Sequence, residues 1–371
     1  MDRITKFAQE IAHAAGPHAD RHDLEGSFVT EGVETARDIG YLAAPVPAEL
    51  GGEGARTAEI CDAQRTISRA CGSTGLACSM HVHVVLAAAW RWRRGDTVVE
   101  PMLRRVADDK AVVVSTGGND WTSPTAVATP VDGGWRVSGR KTFASISPAG
   151  QMLGTFAVVG EPAEGAEVLA IGVPISADGV RLEETWDAAG MRGTGSHDIV
   201  LDDVFVAEGQ VTGRRTWGEL DRPLLLASLH AWPVVSATYL GVAEGLVDTV
   251  VAARRERRSS SGGSSPATDR QIGLLDAELR TARWALYGAL ADLGDDPDPT
   301  EEHYLMLQQM KRVVTLAGQE IGRVAAEVAG GGAYARRGAV DRMIRDLRAA
   351  PYHPDSPEET LLRAGRSALA A

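Results

Sequence analysis

The run W-D-A-A-G-M-R-G-T-G-S-H-D-I-V-L-D-D-V-F-V, Trp186 to Val206, decides the fold of this chain. Its first half holds a glycine-rich turn, Gly190 to Gly195. Its second half sets Ile199, Leu201, Val204 and Val206 among Asp198, Asp202 and Asp203. Apolar residues alternating with polar ones mark a half-buried strand. The pattern predicts a tight loop feeding that strand, and glycine lets such a loop approach a ligand closely. A plain hairpin without a ligand fits the pattern equally well.

The same period of two spreads outward over residues 111 to 212. Val112 to Val114, Thr125 to Thr129, Trp135 to Val137, Phe156 to Val159 and Val168 to Val173 are all β-type runs. Gly133-Gly134 turns one of them into the next. On both sides the period is helical. Before the strands, Phe7, Ile11 and Ala14 share one helix face, as do Val33, Ala36 and Ile39, and helices are predicted from Ala55 to Arg69 and from Ser73 to Arg93. After them come helices from Leu224 to Arg257, Thr268 to Leu293 and Thr300 to Ala329. Pro233 is expected to kink the first or mark its start. The S-S-S-G-G-S-S run, Ser259 to Ser265, is expected as a mobile loop. Helices, then strands, then helices is α+β order. The expected parts are a helical domain over 1–110, a β-domain over 111–215 and a helical bundle over 216–371.

The chain has 371 residues, 44% of them hydrophobic, and a formal net charge of -12. It is long enough for a substantial core. The acidic balance argues against nucleic acid or an anionic membrane as partner. Cys61, Cys71 and Cys78 make no disulfide framework, which suits a reducing cytoplasm. The N-terminal stretch has no apolar signal core, and no apolar run of spanning length is expected.

The G-M-R-G-T-x-S turn and its D-V-x-V strand resemble the central β-domain signature of the acyl-CoA dehydrogenase superfamily. The P-V-P-A-E-L-G-G-E-G loop, Pro45 to Gly54, resembles that family's loop between early helices. The resemblance implies an N-terminal helical domain, a central β-barrel-like domain and a C-terminal four-helix bundle. It also implies a flavin between the last two, FAD with FMN as the other option, in a homotetramer or homodimer.

The resemblance assigns flavin contacts residue by residue. V-V-S-T-G-G-N-D, Val113 to Asp120, is similar to the family's flavin loop, with Ser115 and Thr116 in place of its hydroxyl. S-G-R-K-T-F-A-S-I-S, Ser138 to Ser147, puts Phe143 and Ser145 where the family has a ring-facing aromatic and hydroxyl. Period-two spacing would place both on one face. From spacing alone, Phe143 reads as a core aromatic and Ser145 as a surface hydroxyl. Arg258 matches the Arg that meets the flavin pyrophosphate, and Gly330 and Gly331 match a cofactor-binding Gly-Gly. Glu327 stands where FAD-binding dehydrogenases have Gln.

The catalytic Glu of the dehydrogenases is missing from its usual place after Arg345-Asp346. Glu358, Glu359 and Glu219 are the displaced candidates. The tail, with His353 before a Leu362-to-Gly365 helix, resembles instead the flavin-dependent monooxygenases of the same fold. There a tail His and the Ser matched by Ser145 position substrate against the flavin, and His81 or His83 falls where some members carry a third polar group. An H-V-H pair in an apolar helix also reads as core histidines. The set Cys71, Cys78, His81 and His83 has no zinc spacing.

Three functions follow. The first is monooxygenation with reduced flavin and O2, fed by a separate reductase because no dinucleotide fingerprint is present. The second is desaturation of an acyl thioester, with electron-transfer flavoprotein as the acceptor partner. The third is a non-catalytic oligomer that has lost flavin.

Overall fold

The computed structural model describes residues 2–261, 265–336 and 338–370, excepting the side chains of Asn119 and of residues 258–261. The first part is helical: α1 (Arg3–Ala15), α2 (Ala19–Glu25), α3 (Thr30–Asp38), α4 (Thr57–Ala70), α5 (Gly72–Arg93) and α6 (Glu100–Asp108). Helix α1 shows the local logic. Asp2 caps it by accepting from the Thr5 N–H at 2.8 Å, and Ile4, Phe7, Ala8, Ile11 and Ala15 bury one face.

The strands and one short helix follow as β1 (Val113–Ser115), α7 (Asn119–Thr122), β2 (Val127–Val131), β3 (Gly134–Ala144), β4 (Met152–Val159), β5 (Glu167–Pro174), β6 (Val180–Glu183), β7 (His197–Ala207) and β8 (Val211–Thr216). They form one sheet in the order β6-β7-β3-β2-β4-β5-β8, with β1 beside β4. The path has two ends, β6 and β8, so the sheet is open. Strands β1 and β2 both run parallel to β4, at its start and its end.

Strand β7 carries the deciding run. Ile199, Leu201, Val204 and Val206 are all buried. The alternation slips between Leu201 and Val204, and the register shows why. Val137 faces Val204 while Gly139 faces Leu201, so β7 holds one extra residue there. Asp203, at φ 52°, is the bulge that takes it up.

The last part contains α8 (Arg222–Ser261), α9 (Pro266–Leu293), α10 (Glu301–Ala329), α11 (Ala339–Leu347) and α12 (Pro357–Ala370). Helix α8 starts well before Pro233 and runs through it. It also takes in Ser259 to Ser261, expected as loop; residues 262–264 lie outside the described residues. Two helices, α5 and the Arg222–Arg257 stretch of α8, are long and apolar enough to cross a bilayer, against expectation. Both are core helices, with 78% and 83% of their apolar windows buried. A helix apolar all round needs protein on every side.

The glycine-rich turn is keyed to the tail. A Cβ on Gly190 would run into the Arg345 carbonyl. The Met191 N–H donates to the Asp346 carboxylate at 2.5 Å, and the Arg345 guanidinium donates to Asp23 at 2.8 and 2.5 Å and to the Ala189 carbonyl at 2.9 Å. At Gly190 the close approach is therefore to α11, where the sequence suggested a ligand.

Candidate active site

The loop from β1 to α7 is tied down by buried polar groups. Ser115 Oγ donates to the Met80 carbonyl at 3.0 Å. Thr116 Oγ1 pairs with Thr155 Oγ1 at 3.0 Å, and Thr155 donates to Asp120 at 3.2 Å. Lys141 Nζ donates to the same carboxylate at 2.9 Å and to the Phe156 carbonyl at 2.6 Å. Lys141 is fully buried; burial pulls its pKa down, and the Asp120 carboxylate opposes that. The next residues turn toward two other segments. The Gly117 N–H donates to the Thr142 carbonyl at 3.0 Å, and a Cβ on Gly118 would strike the Pro354 ring.

Phe143 and Ser145 do not share a strand face. Strand β3 ends at Ala144, and its pairing with β7 shifts between Lys141 and Ala144. Phe143 has φ 56° and Ile146 φ 64°, which breaks the period of two. The turn leaves Phe143 59% exposed, with the Trp186 ring edge-on to it at 6.0 Å. Ser145 turns inward and bonds Ser196 Oγ at 2.7 Å.

The tail brings His353 to α8 and α10. Its Nε2 lies 2.8 Å from the Tyr239 hydroxyl, and its Nδ1 has no partner among the described residues. Burial, then the Lys311 ammonium and His83, push its pKa down to about 3, so the imidazole is neutral. Buried Lys311 donates to the His353 and Asp355 carbonyls at 2.7 and 2.5 Å, holding the loop on either side of Pro354. Its ammonium also lies 5.3 Å from the Trp232 ring centre, and Trp232 stacks on Trp121 at 5.1 Å. His83 closes the cluster, 6.4 Å from Trp121. Trp232, Ser236 and Tyr239 follow the i, i+4, i+7 spacing of one helix face. Trp232 Nε1 and Ser236 Oγ are buried without a partner among the described residues.

His81 stands apart from this cluster. Its Nδ1 accepts from the Val113 N–H at 2.9 Å, and its Nε2 therefore donates to the Leu42 carbonyl at 3.0 Å. Both nitrogens are committed to backbone, leaving neither for a substrate. Among the described residues His83 bonds only the Ser79 carbonyl, through Nδ1 at 2.9 Å. Burial holds both near a pKa of about 4.

Three family models match the chain: acyl-CoA dehydrogenase N-terminal domain over residues 2–92, middle domain over 115–204 and C-terminal domain over 230–352. The chain belongs to the acyl-CoA dehydrogenase family. It is 29% identical to a putative acyl-CoA dehydrogenase of Bacillus subtilis, covering 95% of this chain and 92% of the relative. It is 28% identical to a dibenzothiophene monooxygenase of Mycolicibacterium goodii, over 94% and 89%. Among solved structures it resembles KijD3 in complex with FMN and dTDP-3-amino-2,3,6-trideoxy-4-keto-3-methyl-D-glucose, at TM-score 0.87 and 27% identity over 100% and 92% of the two chains. This member of the acyl-CoA dehydrogenase family is a flavin-dependent oxidoreductase.

The family's other matched positions have surroundings of their own. Gly330 and Gly331 form an exposed turn after α10, and nothing stands within 4 Å of a Cβ on either. Arg258 lies in the last turns of α8 with its side chain outside the described residues. Glu327 accepts from Gln271 at 3.0 Å and from Arg323. Glu359 is committed as a cap. It accepts from the Ser356 N–H at 2.7 Å while Ser356 Oγ accepts from the Glu359 N–H at 3.2 Å, a capping box on α12. That backbone bond, with the Ser356 hydroxyl, lowers its pKa. Glu358 is exposed on the same turn, and Glu219 is exposed before α8.

A flavin fits these residues. A ring system needs an aromatic wall and polar groups at its edge. Phe143 is left uncovered at a positive φ, with Trp186 beside it and the Gly117-Gly118 turn alongside. Spacing alone missed Tyr239, Lys311, Trp121, Trp232 and Ser196. Ser196 lies inside the deciding run, but the α8 and α10 residues carry no motif.

Proposed function

We propose that this protein is a monooxygenase that uses reduced flavin and O2 on a small organic substrate. The observation that carries the reading is the anchoring of His353 by Tyr239 and Lys311, in the tail segment that by resemblance replaces the dehydrogenases' carboxylate base. The base candidates support it, since Glu359 is spent on a helix cap. Reduced flavin, when bound against Phe143, supplies the electrons that oxygen activation needs. The chain's own residues do the rest. The Lys311 clamp holds the His353 loop against Gly118. His353 Nδ1 and His83 Nε2, which have no partner among the described residues, supply hydrogen bonds to substrate together with Trp232 Nε1 and Ser236 Oγ. Trp121 and Trp232 keep that face apolar and exclude water. FMN is the preferred flavin, as in the KijD3 complex. A separate reductase supplies it, the chain assembles as a homotetramer or homodimer, and its buried free cysteines suit the cytoplasm.

The test is rapid mixing of the flavin-loaded, chemically reduced protein with oxygen. A transient absorbance distinct from oxidised and reduced flavin is expected. Direct or very slow return to oxidised flavin, together with anaerobic bleaching by an acyl-CoA, would replace this reading with the dehydrogenase one, which the Bacillus subtilis relative favours.

A further inference from the structure

A second cluster of reactive side chains lies at the turn from α2 to α3, within H-D-L-E-G-S-F-V-T-E, His22 to Glu31. Ser27 Oγ lies 2.8 Å from His22 Nδ1, and His22 Nε2 lies 2.6 Å from the Glu31 carboxylate. The histidine is buried and the serine half-buried. Arg21 bonds the other Glu31 oxygen. Burial works against the Glu31 charge, yet its backbone N–H, His22 and Arg21 hold the carboxyl down at about 2. A carboxylate only accepts, so Nε2 carries the ring proton. In the neutral ring Nδ1 is then a lone pair, and the Ser27 hydroxyl donates to it. Glu25 competes for the same proton at 3.1 Å, the longer of the two contacts.

Donors for a developing oxyanion stand beside Ser27. Glu25 ends α2, and Gly26 is left-handed at φ 69° and ψ 19°. Successive N–H groups at such a right-to-left turn line an anion-binding concavity. The Ser27 and Phe28 N–H groups meet no backbone acceptor among the described residues. Arg192 brings a positive charge to the same turn, since a Cβ on Gly26 would stand 2.9 Å from its Nη2. We propose that Ser27, His22 and Glu31 form an acyl-transfer site that hydrolyses small carboxylic esters. None of the three has a part in the flavin reading. Ser27 Oγ attacks the ester carbonyl while His22 Nδ1 takes its proton. The bond from the carbonyl carbon to the leaving oxygen breaks, and the departing alkoxide takes that proton from His22. Water, deprotonated by the same nitrogen, then attacks the acyl group on Ser27. The carboxylic acid leaves, and Ser27 Oγ recovers its proton from His22. Glu31 is a positioning residue that fixes the tautomer of His22 and steadies the imidazolium.

The experiment is incubation of the full chain with a fluorophosphonate probe, followed by intact mass and peptide mapping, beside p-nitrophenyl acetate hydrolysis measured against pH. A label on Ser27 is expected. Ser27→Ala should lose both the label and the catalysed hydrolysis. His22→Gln should slow acylation about a hundredfold, the share of a general base. Glu31→Gln keeps the shape and removes the charge. It should move the pH midpoint of acylation down, because the imidazolium loses its carboxylate. A merely structural residue would lower the rate and leave that midpoint in place, so an unmoved midpoint removes Glu31 from the site. Mapping of the label on wild type decides the matter even if Ser27→Ala fails to fold. No label, a label on another residue, or hydrolysis by Ser27→Ala at the wild-type rate overturns the inference and leaves the monooxygenase reading standing.

Discussion

Tyr239 and His353, 114 residues apart, meet at 2.8 Å between the phenol oxygen and Nε2. The contact joins the middle of α8 to the tail. It leaves Nδ1 as the free end of an imidazole whose other nitrogen is fixed. Burial pushes the Tyr239 phenol well above its ordinary pKa, so it keeps its proton.

Tyr239→Phe should therefore disturb function more than stability. Losing one hydrogen bond costs about 1 kcal/mol, and the melting temperature should move by less than about 4 °C. Product formation from a substrate found in an oxygenation screen should fall at least tenfold as the imidazole loses its orientation. A variant that turned over at the wild-type rate would remove His353 orientation from the mechanism.

Buried histidines make stability pH-dependent. Burial holds His81 and His83 near about 4, and His230 and His353 near about 3, against an ordinary 6.5. Below 6.5 the unfolded chain takes up protons that the folded chain refuses, so stability falls as pH falls. Each such group contributes a slope of about 1.4 kcal/mol per pH unit down to its folded pKa. Asp346 acts in the opposite sense. Burial raises its pKa to about 6, so it gains stability as pH falls from about 6 to 4. Four groups outweigh one, and the urea midpoint should drop steeply between pH 6.5 and 5. A midpoint that stayed level across that window would contradict the burial of His81, His83 and His230.

The Asp120–Lys141 pair fixes the loop that ends in Gly117 and Gly118. Asp120→Ala would leave a fully buried ammonium with only the Phe156 carbonyl as a partner among the described residues. Breaking such a pair costs about 3–5 kcal/mol. The double change Asp120→Ala with Lys141→Met should recover most of that loss in denaturant titration. If the double variant were no better than the single one, the pair would owe its place to packing instead of charge.

The sequence carried the fold better than the site, for a physical reason. Period and glycine spacing are local, so Ile199 to Val206 revealed β7, and helical spacing revealed α4, α5, α9 and α10 to within two residues at each end. Two breaks in period were harder to read. The bulge at Asp203 appears as an extra residue between Leu201 and Val204. The positive φ at Phe143 has no mark in T-F-A-S, so the assumed shared face with Ser145 failed. The His353 loop was legible because it replaces an expected motif. Its partners were not, because Tyr239 and Lys311 reach it from helices whose long apolar faces look like any core. The S-P-E-E run, Ser356 to Glu359, could have been read as a capping box before Glu359 was considered as a base.

Gly190 lies against the backbone of α11, and a methyl group there would meet the Arg345 carbonyl carbon and oxygen and the Asp346 nitrogen. Backbone atoms do not swing aside as a side-chain end does. Gly190→Ala must push α11 away from the turn, which strains the Met191–Asp346 bond and the Arg345–Asp23 pair together. Overpacking of this kind costs about 3 kcal/mol. Gly331→Ala is the control, since nothing lies within 4 Å of its added methyl group, and it should stay within about 0.5 kcal/mol of wild type. Denaturant midpoints of the two variants test the contrast. If Gly190→Ala unfolded with Gly331→Ala at the wild-type midpoint, the turn would not be what locks the tail, and the placement of the His353 loop would need another cause.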